Sequence, residues 1–213
     1  MKKPTIIIAD DHPMLLKGLV DELTQHNFNI VGTATNGAIA LELIDALNPS
    51  IAILDIEMPL LSGIEIIKKC QEKQQVIKFI ILTSHKERHF ILKAKKLNIK
   101  GYLLKDEPFS EIYKCISEVH KGNTYFSKTF DAIFSTEISP ELDKLKLLSP
   151  SERTIVRMVA QNLSSAQIAE QLTISPRTVQ KHRANIIAKL DLPPSMDPLL
   201  KWTMDNSELL NSI

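Results

Sequence analysis

The sequence predicts an α/β domain built on a doubly wound, five-stranded parallel sheet, followed by a small all-α domain. Three observations predict it. Short runs rich in Ile and Val alternate five times with longer stretches whose apolar residues recur three and four positions apart. From Leu147 onward only the helical period remains. The 213 residues also exceed a typical domain of roughly 150, which leaves room for a second, smaller body.

The apolar runs are Thr5 to Ala9, Ile30 to Ala34, Ile51 to Leu54, Phe79 to Leu82 and Tyr102 to Leu104. They read as strands because β-branched side chains suit a pleated surface buried on both faces. Helical stretches fill 13–25, 37–47, 62–73, 86–98 and 109–121, with Leu15, Leu19, Val20 and Leu23 forming the apolar side of the first. Strand and helix in strict alternation mean right-handed crossovers and hence a parallel sheet covered on both sides. After Gly122 the periodicity fades amid Ser, Thr and Pro140, which predicts a linker over 123–146 between domains at 1–122 and 147–213. In the second domain Ser149-Pro150 opens a helix as N-cap and first helical residue. Ser164 or Ser165 caps a short second helix, and Ser175-Pro176 a third that runs to about Leu190.

Hydrophobic residues at 44% and a net charge of +1 exclude a disordered chain. No apolar run approaches the roughly 18 residues that span a bilayer, which argues against a membrane role. Lys2 and Lys3 before Ile6, Ile7 and Ile8 imitate a signal peptide, but Asp10 and Asp11 cut the apolar stretch short, so a cytoplasmic location is expected. Cys70 and Cys115 lack metal-ligand spacing and read as reduced thiols filling packing space. Between residues 147 and 194 six basic residues face three acidic ones, so this block is a candidate polyanion binder. A second basic run, Lys86, Arg88, Lys93, Lys95, Lys96 and Lys100, reads as a solvated helix face or an electrostatic contact.

Parallel strands deliver their C-terminal ends to one edge, where doubly wound folds bind ligands. Here those ends carry Asp10-Asp11, Asp55, Thr83 and Lys105. Three carboxylates drawn together repel unless a proton or cation joins them. All-oxygen ligation with room for water and a phosphoryl oxygen suits Mg²⁺. One carboxylate can then attack phosphorus while the lysine and hydroxyl stabilise charge on the transferred group, leaving an aspartyl phosphate.

These residues resemble the receiver domain of two-component response regulators, a flavodoxin-like fold. Asp10-Asp11, Asp55 followed by Met58-Pro59 and Ser62-Gly63, Thr83, and Tyr102 before Lys105 match its pattern across residues 4–122. The resemblance implies that Asp55 accepts phosphate from a phosphohistidine on a sensor histidine kinase. It further implies that Asp11, Asp55 and the main-chain carbonyl of Glu57 coordinate Mg²⁺, with Asp10 helping through water. Lys105 and Thr83 would bind phosphoryl oxygens, and Tyr102 would fill the space Thr83 vacates. Ser84 and His85 depart from the small residue common after the threonine, which bears on the lifetime of the phosphate.

On a helical wheel of the third helix, Val179, Ile186, Ile187 and Leu190 share one side. Arg177, Lys181, Ala184, Asn185 and Ala188 lie opposite, with Gln180 at the edge. Such a helix suits a major groove, where Lys and Gln bond base edges and Arg holds phosphates. The short second helix, turn and Ser-Pro start give a helix-turn-helix outline, for which a small helical bundle is the rival reading. Leu148 to Arg153, Ile168-Ala169, Ser175 to Val179, His182, Asn185-Ile186 and Lys189-Leu190 resemble the LuxR-type helix-turn-helix. That resemblance puts Gln180, Lys181 and Ala184 toward bases and makes Arg177, Arg183 and Lys189 phosphate candidates, although the wheel sets Arg183 near the apolar side. It also implies a dimerising helix from Pro198 to Met204. The expected whole is a transcriptional regulator rather than an enzyme, of the NarL/FixJ type, binding double-stranded promoter DNA as a homodimer when phosphorylated. A signalling adaptor whose helices bind only protein is the alternative. So is a phosphohydrolase with an aspartyl intermediate, although the adjoining Asp10 and Asp11 do not give the Asp-x-Asp spacing such an enzyme uses.

Overall fold

A computed structural model describes residues 3–210, so Lys2 of the signal-like start and residues 211–213 of the expected second domain lie outside the described residues. The chain divides into two compact units, Met1–Ile133 and Phe134–Ile213.

The first unit runs β1 (Thr5–Ala9), α1 (Pro13–Gln25), β2 (Asn29–Ala34), α2 (Gly37–Leu47), β3 (Ile51–Leu54), α3 (Gly63–Glu72), β4 (Lys78–Thr83), α4 (Arg88–Lys96), β5 (Gly101–Leu104), α5 (Phe109–Lys121), β6 (Tyr125–Phe126) and α6 (Lys128–Ile133). The strands lie in the order β2-β1-β3-β4-β5-β6, all parallel. The order reverses at β1, and a crevice forms beyond the strand ends at such a switch point.

Alternation of side chains sorts the core. Ile6, Ile8, Ile51, Ile53, Ile80, Leu82 and Leu103 pack against Leu16, Leu19 and Leu23 of α1 and Ile112, Ile116 and Val119 of α5. Right-handed crossovers carry α2, α3 and α4 to the other face, where Ile44, Ile66, Ile67 and Ile91 are buried. Local chemistry sets the helix ends. Asn36 accepts the Ile39 amide at 2.9 Å to start α2, and a reciprocal Ser62–Glu65 capping box starts α3. Gly122, at φ +100°, ends α5 in the left-handed conformation that a Cβ disfavours.

The expectation of five strands is corrected to six among the described residues. Tyr125–Phe126 adds a parallel strand beside β5, with the Tyr125 amide donating to the Lys100 carbonyl at 2.8 Å and the Ser127 amide to the Tyr102 carbonyl at 3.0 Å. Two residues are too short for a periodic signal, so backbone pairing alone makes the strand. The stretch expected as a linker is thus structured, with α6 following β6 in the first unit.

The second unit begins with a π-helical segment (Phe134–Ile138) and α7 (Ser139–Lys146), followed by α8 (Pro150–Ala160), α9 (Ser165–Leu172), α10 (Pro176–Lys189), α11 (Pro198–Asp205) and α12 (Ser207–Leu210). Ser149, Ser164 and Ser175 cap α8, α9 and α10, as their Ser-Pro and Ser-Ser signatures predict. The buried set is Ile155, Val156, Val159, Ile168, Val179, Ile186, Leu190 and Leu199. The Trp202 indole donates to the Glu141 carboxylate at 2.9 Å and ties α11 to α7.

Candidate functional site

Of the strand-end side chains named from the sequence, Asp10, Asp11, Asp55 and Lys105 converge, and Thr83 ends the neighbouring β4. Asp10, Asp55 and Thr83 are buried at 2%, 5% and 0% exposure, which polar groups tolerate only when paired. The Lys105 ammonium supplies the partner, 2.6 Å from Asp55 Oδ2 and 2.7 Å from Asp10 Oδ2. Burial works against the charged lysine, yet the hydrogen bonds it donates to Asp10 and Asp55 and their negative charge carry its pKa above the ordinary lysine value. The other oxygens are also held. Asp55 Oδ1 accepts the Ile56 amide at 2.6 Å, and Asp10 Oδ1 accepts the His12 amide at 2.9 Å.

The loop after β3 fixes the backbone around Asp55. Leu60 adopts φ +72° and is exposed, and the Gly63 amide donates to the Ile56 carbonyl at 2.9 Å. A Cβ on Gly63 would stand 2.2 Å from the Asp55 carbonyl oxygen, so only glycine lets α3 start there. Beside the loop lies a depression lined by Asp11, Glu57, Met58, Pro59 and Ser62 among others.

The residues present fit a divalent cation. Three carboxylates face one ammonium, which leaves negative charge in excess. Asp11 Oδ1 is buried and accepts no hydrogen bond, although the His12 ring nitrogen comes within ion-pair distance at 3.0 Å. Oxygens of Asp10, Asp11 and Asp55 and a His12 ring nitrogen lie within 4.8 Å of one another. A hard cation would satisfy the orphaned oxygen and offset the repulsion.

On the β4–β5 side, the His85 amide donates to Thr83 Oγ1 at 3.3 Å, and the Tyr102 hydroxyl donates to the His85 carbonyl at 2.8 Å. Burial first, then the charges of Glu87 and Asp55, push the Tyr102 phenol well above its ordinary value, so it remains a neutral donor. The His85 ring bridges Glu57 at 3.3 Å and Glu87 at 3.2 Å, linking the loop after β3 to the start of α4.

In the second unit α9, the three residues Thr173 to Ser175 and α10 form a helix-turn-helix. Thr173 turns the chain in the left-handed region at φ +56°. Arg177, Gln180, Lys181, Ala184 and Lys189 are exposed on α10. Arg183 is not on that open face. Its guanidinium donates to Asp197 at 2.6 Å. The Lys189 ammonium reaches Glu152 at 2.7 Å.

The response regulator receiver domain family matches residues 6–117. The chain is a response regulator. The luxR family of bacterial regulatory proteins matches residues 146–197, so this response regulator pairs a receiver with a LuxR-type domain. The transcriptional regulatory protein MctR of Rhizobium johnstonii is 32% identical over 96% of this chain and 94% of its own. The receiver domain of the putative response regulator NarL from Mycobacterium tuberculosis is 32% identical, covers 58% of this chain and 100% of its own, and superposes at a TM-score of 0.55. The RcsB–DNA complex structure is 25% identical, covers 95% of this chain and 98% of its own, and gives a TM-score of 0.61. No helix among the described residues is long and apolar enough to cross a membrane.

Sequence reading of this response regulator gave no contact to three side chains at its sites, His12, Glu152 and His85, the last named only as a departure after Thr83. His12 follows two aspartates and His85 lies two residues after Thr83, so proximity in the chain was the available signal. Glu152 announces itself only as the third residue of a capping box, yet it also holds Lys189.

Proposed function

We propose that this response regulator is a phosphorylation-controlled transcription factor. Asp55 attacks the phosphorus of a phosphohistidine on a sensor histidine kinase. The phosphorus–nitrogen bond breaks, the histidine nitrogen keeps the electron pair, and Asp55 becomes an aspartyl phosphate. Asp11, Asp55 and the main-chain carbonyl of Glu57, with Asp10 through water, would hold Mg²⁺, which would supply charge neutralisation at the transferred group. Lys105 moves from its carboxylate partners to a phosphoryl oxygen, and the Thr83 hydroxyl binds another. The buried Tyr102 is then the state that phosphorylation favours, because Thr83 makes room for its ring. The observation that carries this reading is the Lys105 ammonium shared between Asp55 and Asp10.

The receiver is residues 1–122 with β6 and α6 added to it from the joining stretch 123–146, and the DNA-binding domain is 147–213. α10 enters the major groove of promoter DNA, with Gln180, Lys181 and Ala184 toward bases and Arg177 on phosphate. Arg183 and Lys189 reach phosphate only by giving up Asp197 and Glu152. Two phosphorylated copies bind as a homodimer, as the paired RcsB dimers on DNA in one related structure suggest by analogy. The protein works as a cytoplasmic regulator rather than as an enzyme.

Incubation with acetyl phosphate and Mg²⁺, followed by intact mass and sedimentation, tests the proposal. The wild type should gain one labile phosphoryl group and shift toward a dimer, and Asp55→Asn should do neither. An equal adduct on both proteins would overturn it.

A further inference from the structure

The segment after α5 carries an aromatic pair that the phosphorylation chemistry does not use. Phe130, in α6, is 1% exposed, and its ring packs on the ring of Tyr102 with centroids 4.9 Å apart. Phe126 also stacks on Phe130, at 4.5 Å and 11°. The Lys95 ammonium of α4 stands 4.2 Å from the Phe126 ring centre and 5.3 Å from that of Phe130. The backbone holds the same register. The Ser127 amide donates to the Tyr102 carbonyl at 3.0 Å, and Ser127 Oγ accepts the Phe130 amide at 3.1 Å.

Tyr102 is therefore fixed at two ends, its hydroxyl on the His85 carbonyl and its ring under Phe130. Phe130 has the Tyr102 ring to rest on only while that ring is buried. We propose that Phe130 is a positioning residue for the Tyr102 switch. It favours the buried ring, and the buried ring in turn docks α6, so the state of Asp55 reaches the segment that leads in sequence to the second unit. This inference rests on the Tyr102 role proposed above and adds α6 as its first reader. Coupling of this kind is reciprocal.

The test uses the full-length chain labelled with 3-fluorotyrosine, which gives three ¹⁹F signals, from Tyr102, Tyr113 and Tyr125, assigned with single Tyr→Phe variants. Acetyl phosphate with Mg²⁺ should move the wild-type Tyr102 signal and slow hydrogen exchange in 128–133. In Phe130→Leu the Tyr102 response should shrink, the protection of 128–133 should vanish and Asp55 phosphorylation should slow by about threefold or more. Phe130→Tyr, which keeps the ring, should behave as the wild type, and Tyr102→Leu should by itself speed exchange in 128–133. Faster exchange in Phe130→Leu with an unchanged Tyr102 response and phosphorylation rate would make Phe130 mere packing and overturn the proposal. A wild-type Tyr102 signal indifferent to the phosphodonor, despite phosphorylation of Asp55, would overturn the switch reading and the positioning role with it.

Discussion

The ammonium of Lys105 stands 2.6 Å from the carboxylate of Asp55, the two groups arriving 50 residues apart in sequence and both nearly buried. This pair is an internal counterion, and it sets what an added cation does. Removing the lysine leaves Asp10 and Asp55 facing each other without compensation. Lys105→Met should lose about 1–3 kcal/mol of stability in metal-free buffer. Mg²⁺ should restore more of the melting temperature in the variant than it adds to the wild type, because it replaces a lost charge. Phosphorylation from acetyl phosphate should still fall at least about tenfold, since the oxygen-binding donor is gone. Thermal melts with and without Mg²⁺ and intact mass check both arms.

Gly63 controls the same site through the backbone. A Cβ there would meet the Asp55 carbonyl oxygen at 2.2 Å, and a main-chain atom cannot swing aside as a side chain can. Gly63→Ala should cost about 2–3 kcal/mol by urea denaturation and displace Asp55 from Lys105. Gly18 has nothing within 4 Å of its Cβ position, so Gly18→Ala in α1 should leave phosphorylation unchanged.

Much of this arrangement was legible in the chain because its causes are local. Runs such as Thr5 to Ala9 and caps such as Ser149-Pro150 specify elements from a few adjacent residues, and parallel strands bring their ends together by topology. What was not legible is tertiary. β6 exists because Tyr125 and Ser127 find the free edge of β5, and α6 because Phe130 finds Tyr102. The helical wheel sets Arg183 near the apolar side without naming its partner and leaves Lys189 as a cation, and only the fold brings Asp197 and Glu152 to them.

That difference separates the cations of α10 by experiment. Lys181 is exposed, and Lys181→Ala should weaken promoter binding and lower the salt slope of log K by about 1, with stability unchanged within about 0.5 kcal/mol. Arg183 is held by the half-exposed Asp197, so Arg183→Ala should cost about 1 kcal/mol of stability by chemical denaturation. A thermal melt beside a binding titration over about 50–200 mM salt distinguishes the two.

Glu152 gives the second unit a pH dependence whose sign follows from its partners. Its carboxyl is 5% exposed and burial alone would raise its pKa, but the Lys189 ammonium and the Ser149 amide and hydroxyl hold it below the ordinary glutamate value. A carboxyl depressed in the folded state binds its proton more weakly there than in the unfolded chain. Its contribution is therefore complete above the unfolded value of 4.5 and is lost as pH falls through the lower folded value. Other carboxyls titrate in the same range, so the informative quantity is the difference between variants. Glu152→Gln should lose about 1–2 kcal/mol at pH 7, and that deficit should narrow toward zero as pH falls below about 4. Lys189→Met should narrow it likewise from the other side of the pair, because it strands a buried carboxylate that acid neutralises. Denaturation midpoints of the three proteins between pH 3 and 7 measure it, and a deficit independent of pH would mean that the capping hydrogen bonds, not the charge on Glu152, hold α8 in place.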